Sequence, residues 1–310
     1  MTANVAFISN SDSGRHDTGW QHPEHVGRLR AIARALRNNI ELYEKLTQHD
    51  GRHATVAELL LSHDKNYIEQ VRATVDAGGG RLDGDTVVSE GSWDAVTAGV
   101  GCVLDGVDMS FDGRALRNFS AVRPPGHHAL RATAMGFCVF GNVAIAAQYA
   151  LSRIDCKRVL IVDWDVHHGN GTQALVQHDE RIRFVSMHQW PWYPGTGAKD
   201  DRGPLRTIWN VPMAPSLAAE RYVNALLTAV DDAARDFTPD LVIISAGFDC
   251  LKGDPLGAFT LTNEHVALLT RELVARATSW CNGRVVSALE GGYAPDQVAE
   301  AVMVHLAALS

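Results

Sequence analysis

Val159-Leu160-Ile161-Val162-Asp163-Trp164-Asp165-Val166-His167-His168 is the stretch from which the fold of this chain can be read. Four apolar residues run together and then break into acids and paired imidazoles. A continuous apolar run, rather than an alternating one, suits a strand buried on both faces of a parallel sheet. Asp163-x-Asp165-x-His167 follows at its end. Side chains two apart on extended backbone share a side, so two carboxylates and one imidazole can face one point.

The same texture recurs on both sides of this stretch. Apolar runs at Phe119–Val122, Ile182–Met187, Leu241–Ala246 and Val285–Leu289 read as further buried strands. Helical segments at Asn142–Leu151, Ala218–Ala234 and Asn263–Thr278 lie between several of them. Such alternation predicts an open α/β sheet covered by helices on both faces. Each run ends in an unusual polar cluster. These are Arg123-Pro124-Pro125-Gly126-His127-His128, Met187-His188, Gly247-Phe248-Asp249 and Glu290-Gly291-Gly292-Tyr293. In parallel α/β sheets ligands bind beyond the carboxyl ends of the strands, so five clusters at five strand ends should converge on one pocket.

The first quarter reads as helical. Leu29, Ile32 and Leu36 recur at helical spacing, as do Ile68, Val71 and Val75. Ser92 is a candidate cap for a helix through Val96 and Val100, and Gly78-Gly79-Gly80 reads as a loop. No repeat or low-complexity linker divides the chain, so residues 1–310 read as one domain.

Composition narrows the function. With 28 Lys+Arg against 36 Asp+Glu, the formal charge is 28 − 36 = −8. That balance, with no basic block, argues against nonspecific nucleic-acid or anionic-membrane binding and fits a neutral or cationic substrate. Met1-Thr2-Ala3-Asn4-Val5-Ala6-Phe7 lacks the charged region and long apolar run of a leader. No stretch reaches the roughly 18 apolar residues of a membrane span. Five cysteines without a CxxC pair read as reduced core thiols, and the expected location is cytoplasmic. The outlying count is 14 His.

The acids and imidazoles at the strand ends form a donor set suited to Zn, Fe or Mn. Three protein ligands would leave a position open for water and substrate. His127 and His128 could not both enter a pocket from extended backbone, because adjacent side chains diverge. The preceding Pro124-Pro125-Gly126 can break that geometry.

These motifs, with Gly136-Phe137-Cys138, His167-His168-Gly169-Asn170-Gly171-Thr172 and Asp254-Pro255-Leu256-Gly257, resemble the zinc-dependent histone deacetylase family. The likeness is closer to its class II and bacterial deacetylase-like branch. His22-Pro23-Glu24 and Arg28 resemble the family's amino-terminal motif, so the likeness covers nearly the whole chain. The resemblance implies an arginase/deacetylase α/β fold, a single domain with a mostly parallel central sheet flanked by helices.

The resemblance also implies roles. Asp165, His167 and Asp249 would hold one zinc ion. Asp163, Asp165, Ser186 and backbone oxygens of His167 and Met187 would hold a structural potassium ion, and the family has a second, outer potassium site. His128 would act as general base and then general acid. His127, oriented by Asp163, would stabilise charge, and Tyr293 would donate to the oxyanion. Asn170 would partner His128, where class I members carry an aspartate. Gly136, Phe137, Tyr193 and Leu256 would line a narrow tunnel for the methylene stem of an acylated amine. His168 and His188 are expected to line or brace the site. Gly291-Gly292 would let Tyr293 swing inward.

The implied activity is hydrolytic removal of an acetyl or other acyl group from an acylated lysine or a similar small amine. Three alternatives stand beside it. Arginase-like ureohydrolases share the fold but bind two manganese ions through a further acid, where this chain has Cys250 and Leu251. Acetylpolyamine amidohydrolases carry an acidic gatekeeper where Leu256 stands. A non-catalytic protein that binds an acyl ligand through its metal would be expected to lack Tyr293 or one of the histidines. Self-association into a homo-oligomer stays open.

Overall fold

A computed structural model describes residues 5–310; the Met1–Asn4 part of the leader reading lies outside the described residues. In chain order the elements begin with β1 (Val5–Ser9), α1 (Gly27–Asn38), α2 (Ile40–Lys45), β2 (Leu46–Asp50), α3 (Val56–Leu59) and α4 (Lys65–Asp76). A small hairpin follows, β3 (Gly79–Arg81) and β4 (Val87–Ser89), then α5 (Ser92–Phe111), β5 (Arg117–Ser120) and α6 (Asn142–Ser152). The second half comprises β6 (Val159–Asp163), α7 (Asn170–Val176), β7 (Ile182–Gln189), β8 (Ile208–Met213), α8 (Ala219–Ala234), β9 (Leu241–Ala246), α9 (Asn263–Cys281), β10 (Val285–Leu289) and α10 (Pro295–Leu309).

Eight strands form one sheet in the order β2-β1-β5-β10-β9-β6-β7-β8, and every neighbouring pair is parallel. Alternation along β6 explains its continuous apolar run. Leu160 and Val162 join one core with α1, α8, α9 and α10, while Val159 and Ile161 join the other with α5 and α6. Both faces are covered, so Val159–Val162 are all apolar before the strand ends at Asp163. All five cysteines are free and buried. No helix among the described residues is long and apolar enough to cross a membrane.

Several local expectations change. β1, β2, β8 and α10 were not anticipated. The edge strand β2 buries only Leu46, alternates half-buried with exposed residues after it and has no apolar run. The other edge strand, β8, contains Pro212, which edge strands tolerate. Ser92 is the first residue inside α5, whose N-cap is Gly91; its hydroxyl instead accepts from Ser89 N at 2.7 Å. The expected glycine loop is partly strand, because Gly79 pairs with Ser89. A Cβ on Gly79 would lie 2.4 Å from Val88 O, so only glycine fits there.

Candidate active site

The carboxyl ends of β5, β6, β7, β9 and β10 meet at one place, as the strand-end clusters predict. β6 ends at Asp163, so Asp165 and His167 are placed by a loop rather than by strand alternation. Three hydrogen bonds hold that loop. Asp163 Oδ1 accepts from Asp165 N at 3.0 Å, Asp165 Oδ1 from His167 N at 2.9 Å, and Asp249 Oδ1 from Val166 N at 2.8 Å.

Asp165, His167 and Asp249 are all buried, and their donor atoms lie within 4.8 Å of one another. His167 Nδ1 is 3.0 Å from Asp165 Oδ1 and 3.3 Å from Asp249 Oδ2. Asp249 Oδ2 is buried and makes no well-formed hydrogen bond, its contact with His167 Nδ1 being an ion pair only when that ring is protonated. A buried carboxylate oxygen left this way costs free energy unless a cation or proton takes it. Gly291 keeps the space clear, since a Cβ there would lie 2.0 Å from Asp249 Oδ2 and 2.5 Å from Asp165 Oδ2. Two carboxylates and one imidazole with an unpartnered oxygen fit a divalent ion such as zinc.

Electrostatics agree with that fit. Burial opposes charge on His167, but Asp165 and Asp249 outweigh it and push its pKa up to about 10. Burial, with Asp165 beside it, pushes Asp249 up to about 7. The cluster therefore retains a proton where a cation would serve.

A second buried trio, His127, Cys138 and Glu290, also has donor atoms within 4.8 Å. Its carboxylate is already engaged. Glu290 Oε2 accepts from Gly126 N at 2.7 Å and His127 N at 3.1 Å, and Oε1 from Ser245 Oγ at 3.1 Å. Glu290 thus clamps the turn that carries the tandem histidines. Ala129 N closes that turn on Gly126 O at 3.1 Å. The turn brings both rings together, with centroids 4.0 Å apart.

The two imidazoles are pushed in opposite directions. Burial disfavours charge on His127, but Asp165 and Asp163 outweigh it and raise its pKa well above the ordinary value. Its Nδ1 lies 3.0 Å from Asp163 Oδ2. Burial, together with the charges of His127 and His167, lowers His128 well below the ordinary value. Its Nδ1 lies 2.7 Å from Asn170 Oδ1. A neutral ring that donates from Nδ1 keeps its Nε2 lone pair available.

Tyr293 follows a backbone that is pinned rather than free to swing. Gly291 N donates to Asp165 Oδ2 at 2.8 Å, and Gly292 O accepts from Arg28 Nε at 2.6 Å. Arg28 also donates to Glu290 O and to Glu24 Oε1. Glu24, buried with Arg123 and Arg28, is held down to about 2 because the two guanidinium groups outweigh the cost of burial. The glycines serve close approach, and Gly292 serves a φ of 116°. Burial and nearby carboxylates raise the Tyr293 phenol well above its ordinary pKa, so it remains a donor.

A slot of about 250 Å³ opens onto these groups, lined by Asp85, His128, Gly136, Phe137, His167, Trp192, Tyr193, Leu256 and Tyr293. All four expected tunnel residues are there. Phe137 has a φ of 68°, an uncommon conformation for a bulky residue. It is held by Phe137 N donating to Thr86 Oγ1 and Gly136 N donating to Asp85 Oδ1, at 3.1 and 3.0 Å. Asp85 and Trp192 were not anticipated. Asp85 follows no apolar run, and only the turn-like Asp83-Gly84-Asp85 marks its segment.

His168 and His188 brace rather than line the slot. His168 bridges Thr196 Oγ1 and Gln173 Oε1 at 2.8 and 2.9 Å, and His188 Nε2 donates to Gly197 O at 2.9 Å. Together they tether the segment that carries Trp192 and Tyr193. Ser186 is the register partner of Asp163, so the expected potassium residues Asp163, Asp165, His167, Ser186 and Met187 fall on the end of β6, the loop after it and the adjacent stretch of β7.

The histone deacetylase domain profile matches residues 22–309. An uncharacterized protein of Synechocystis sp. is 42% identical over 306 residues, covering 97% of this chain and 98% of that protein. Human histone deacetylase 9 is 35% identical over 308 residues, and Arabidopsis thaliana histone deacetylase 15 is 38% identical over 279 residues. Each alignment covers 88% of this chain, but 30% and 50% of those longer relatives. The crystal structure of the HDA15 HD domain matches with a TM-score of 0.93 at 34% identity, covering 100% of this chain and 88% of that one.

Proposed function

The chain belongs to the histone deacetylase family, and from that membership we propose that it is a metal-dependent hydrolase that removes an acetyl or other acyl group from an acylated lysine or similar small amine. The observation that carries this reading is one aromatic slot that opens onto both His128, whose pKa is lowered, and His167, which lies against the buried carboxylates of Asp165 and Asp249.

Zinc held by Asp165, His167 and Asp249 would supply Lewis acidity toward the acyl carbonyl and the attacking water. His128 Nε2 takes the proton of that water and passes it to the departing amine. Asn170 orients His128 as a neutral partner. The positive charge on His127, balanced by Asp163, stabilises developing negative charge. Tyr293 donates its hydroxyl to the oxyanion. Phe137 and Tyr193 flank the slot and shield the methylene stem from water.

Potassium belongs to the same proposal, at one site or two. Oxygen donors from Asp163, Asp165, His167, Ser186 and Met187 suit a hard monovalent cation, whose role would be structural. A cytoplasmic location agrees with five free cysteines. The proposal includes no nucleic-acid or membrane partner.

Acetylated polyamines form a second substrate reading, favoured by the Asp85 carboxylate in the lining of the slot and opposed by the apolar Leu256. Metal analysis combined with turnover tests both readings. The expected result is about one zinc per chain and hydrolysis of a fluorogenic acetyl-lysine amide. A panel of acetyl-lysine peptides, acetylpolyamines and longer acyl chains then ranks the substrates. Stoichiometric zinc without turnover of any acyl amide would leave only a binding role.

A further inference from the structure

We propose that Asp254 is a positioning residue that sets the place of Tyr293 and links it to the rim of the substrate slot. The inference rests on the reading of Tyr293 as the oxyanion donor.

Asp254 is 6% exposed, and its two carboxylate oxygens serve two separate segments. Oδ2 accepts from Tyr293 N at 2.7 Å, and Oδ1 accepts from Leu256 N at 2.9 Å. Leu256 O in turn accepts from Trp192 Nε1 at 2.9 Å. Leu256, Trp192 and Tyr293 all line the slot, whereas Asp254 does not. One carboxylate therefore joins the tyrosine at the depth of the slot to an indole 44% exposed at its rim.

The tyrosine depends on this bond. Its ring meets Phe137 edge-on at 5.9 Å and lies 5.3 Å from the Arg28 guanidinium carbon. Such ring contacts tolerate sliding. The backbone hydrogen bond fixes how far Tyr293 reaches from the pinned Gly291-Gly292 segment. A charged acceptor makes a shorter and stronger bond than a neutral one, and a displacement of about 1 Å at a reacting centre can cost about 10²-fold in rate. Replacement by Asn keeps the shape but turns one oxygen into an NH2 that faces an N–H donor. In either amide orientation one of the two bonds is lost.

A double-mutant cycle in the zinc-loaded full chain tests the proposal. Asp254→Asn is expected to lower kcat by about 10- to 100-fold with KM changed much less. Tyr293→Phe is expected to lower kcat by about 10²–10³. In the double variant the two losses should not multiply, and kcat should match that of Tyr293→Phe within about threefold. Multiplying losses would overturn the proposal.

A second readout needs no turnover. In protein labelled with 3-fluorotyrosine, the 19F resonance of Tyr293, assigned by its loss in Tyr293→Phe, should shift or broaden in Asp254→Asn. The resonance of the core residue Tyr222 should stay in place. An unmoved Tyr293 resonance in folded Asp254→Asn would also overturn the proposal. Asp254→Glu, which keeps the charge but displaces it, takes the same measurements if the Asn variant does not fold. If Tyr293→Phe leaves kcat unchanged, the donor reading fails, while the resonance still reports whether Asp254 positions the ring.

Discussion

His128 Nδ1 lies 2.7 Å from Asn170 Oδ1, so the imidazole proposed as the base has a neutral partner. His127, whose ring centroid is 4.0 Å away, has the Asp163 carboxylate instead. Burial and the charges of His127 and His167 push His128 down, while Asp165 and Asp163 push His127 up, the division of labour an acid–base pair needs.

Asn170→Asp should disturb that division. A carboxylate beside His128 favours its protonated form and raises its pKa by about one unit or more. His128 must be neutral to act as base, so the acidic limb of the kcat/KM profile should move to higher pH. A pH–rate series on the variant and the parent checks the direction. An unmoved limb would remove His128 from the base role.

The metal cluster makes stability depend on pH in a way that metal loading should reverse. In the metal-free protein His167 has a folded pKa of about 10, above the 6.5 of the unfolded chain. A raised histidine contributes stability that is fully present below pH 6.5 and is lost as pH rises through 10. Thermal midpoints of the chelated protein should therefore fall between pH 6.5 and 10. The zinc-loaded protein should show a smaller fall, since the ion takes the place of the proton and stabilises the folded state by mass action.

Gly291→Ala should abolish metal binding. The added Cβ would lie 2.0 Å from Asp249 Oδ2, a distance that forces the carboxylate or the backbone to move. Elemental analysis after dialysis against zinc should find far less metal than in the parent. Asp249→Ala should behave alike.

Glu290 should matter for both stability and rate. Glu290→Ala leaves the buried N–H groups of Gly126 and His127 without their acceptor. At about 1–3 kcal/mol per unsatisfied group, the loss is about 2–6 kcal/mol in denaturant unfolding. Glu290→Gln keeps an acceptor and should lose less. Equal losses in the two variants would show that the acceptor is not what matters.

Much of this site is legible in the residues themselves because strand ends leave a mark. Val159–Val162, Leu241–Ala246 and Val285–Leu289 must be almost wholly apolar to lie between two helical layers, with Ser245 and Ser287 the exceptions, and the polar clusters that follow stand out against them. Asp165, His167, Asp249, His127, His128 and Tyr293 are all found this way. Asp85 leaves no such mark, since it reaches the slot from the loop between β3 and β4. Trp192 is similar, because its place depends on the segment tethered by His168 and His188. β2 was hidden for a related reason. As an edge strand it needs only one buried side, so its composition is that of a loop.

By itself the sequence marked the buried parallel strands and the acids and imidazoles at their ends, while the choice of Asp165, His167 and Asp249 as ligands came from the family resemblance. The strands and their polar ends follow from short-range patterning and from the donor chemistry each side chain carries. Only the tertiary structure decided how the groups are held and charged. Glu290 bends the tandem histidines toward each other from 164 residues away, and Asp254 holds Tyr293 across 39. Burial disfavours charge on both His127 and His128, and the carboxylates of Asp165 and Asp163 beside His127 then set the two rings to opposite protonation preferences. Hydrogen bonds over such separations, and the desolvation that shifts each pKa, exist only once the sheet has brought its strand ends together.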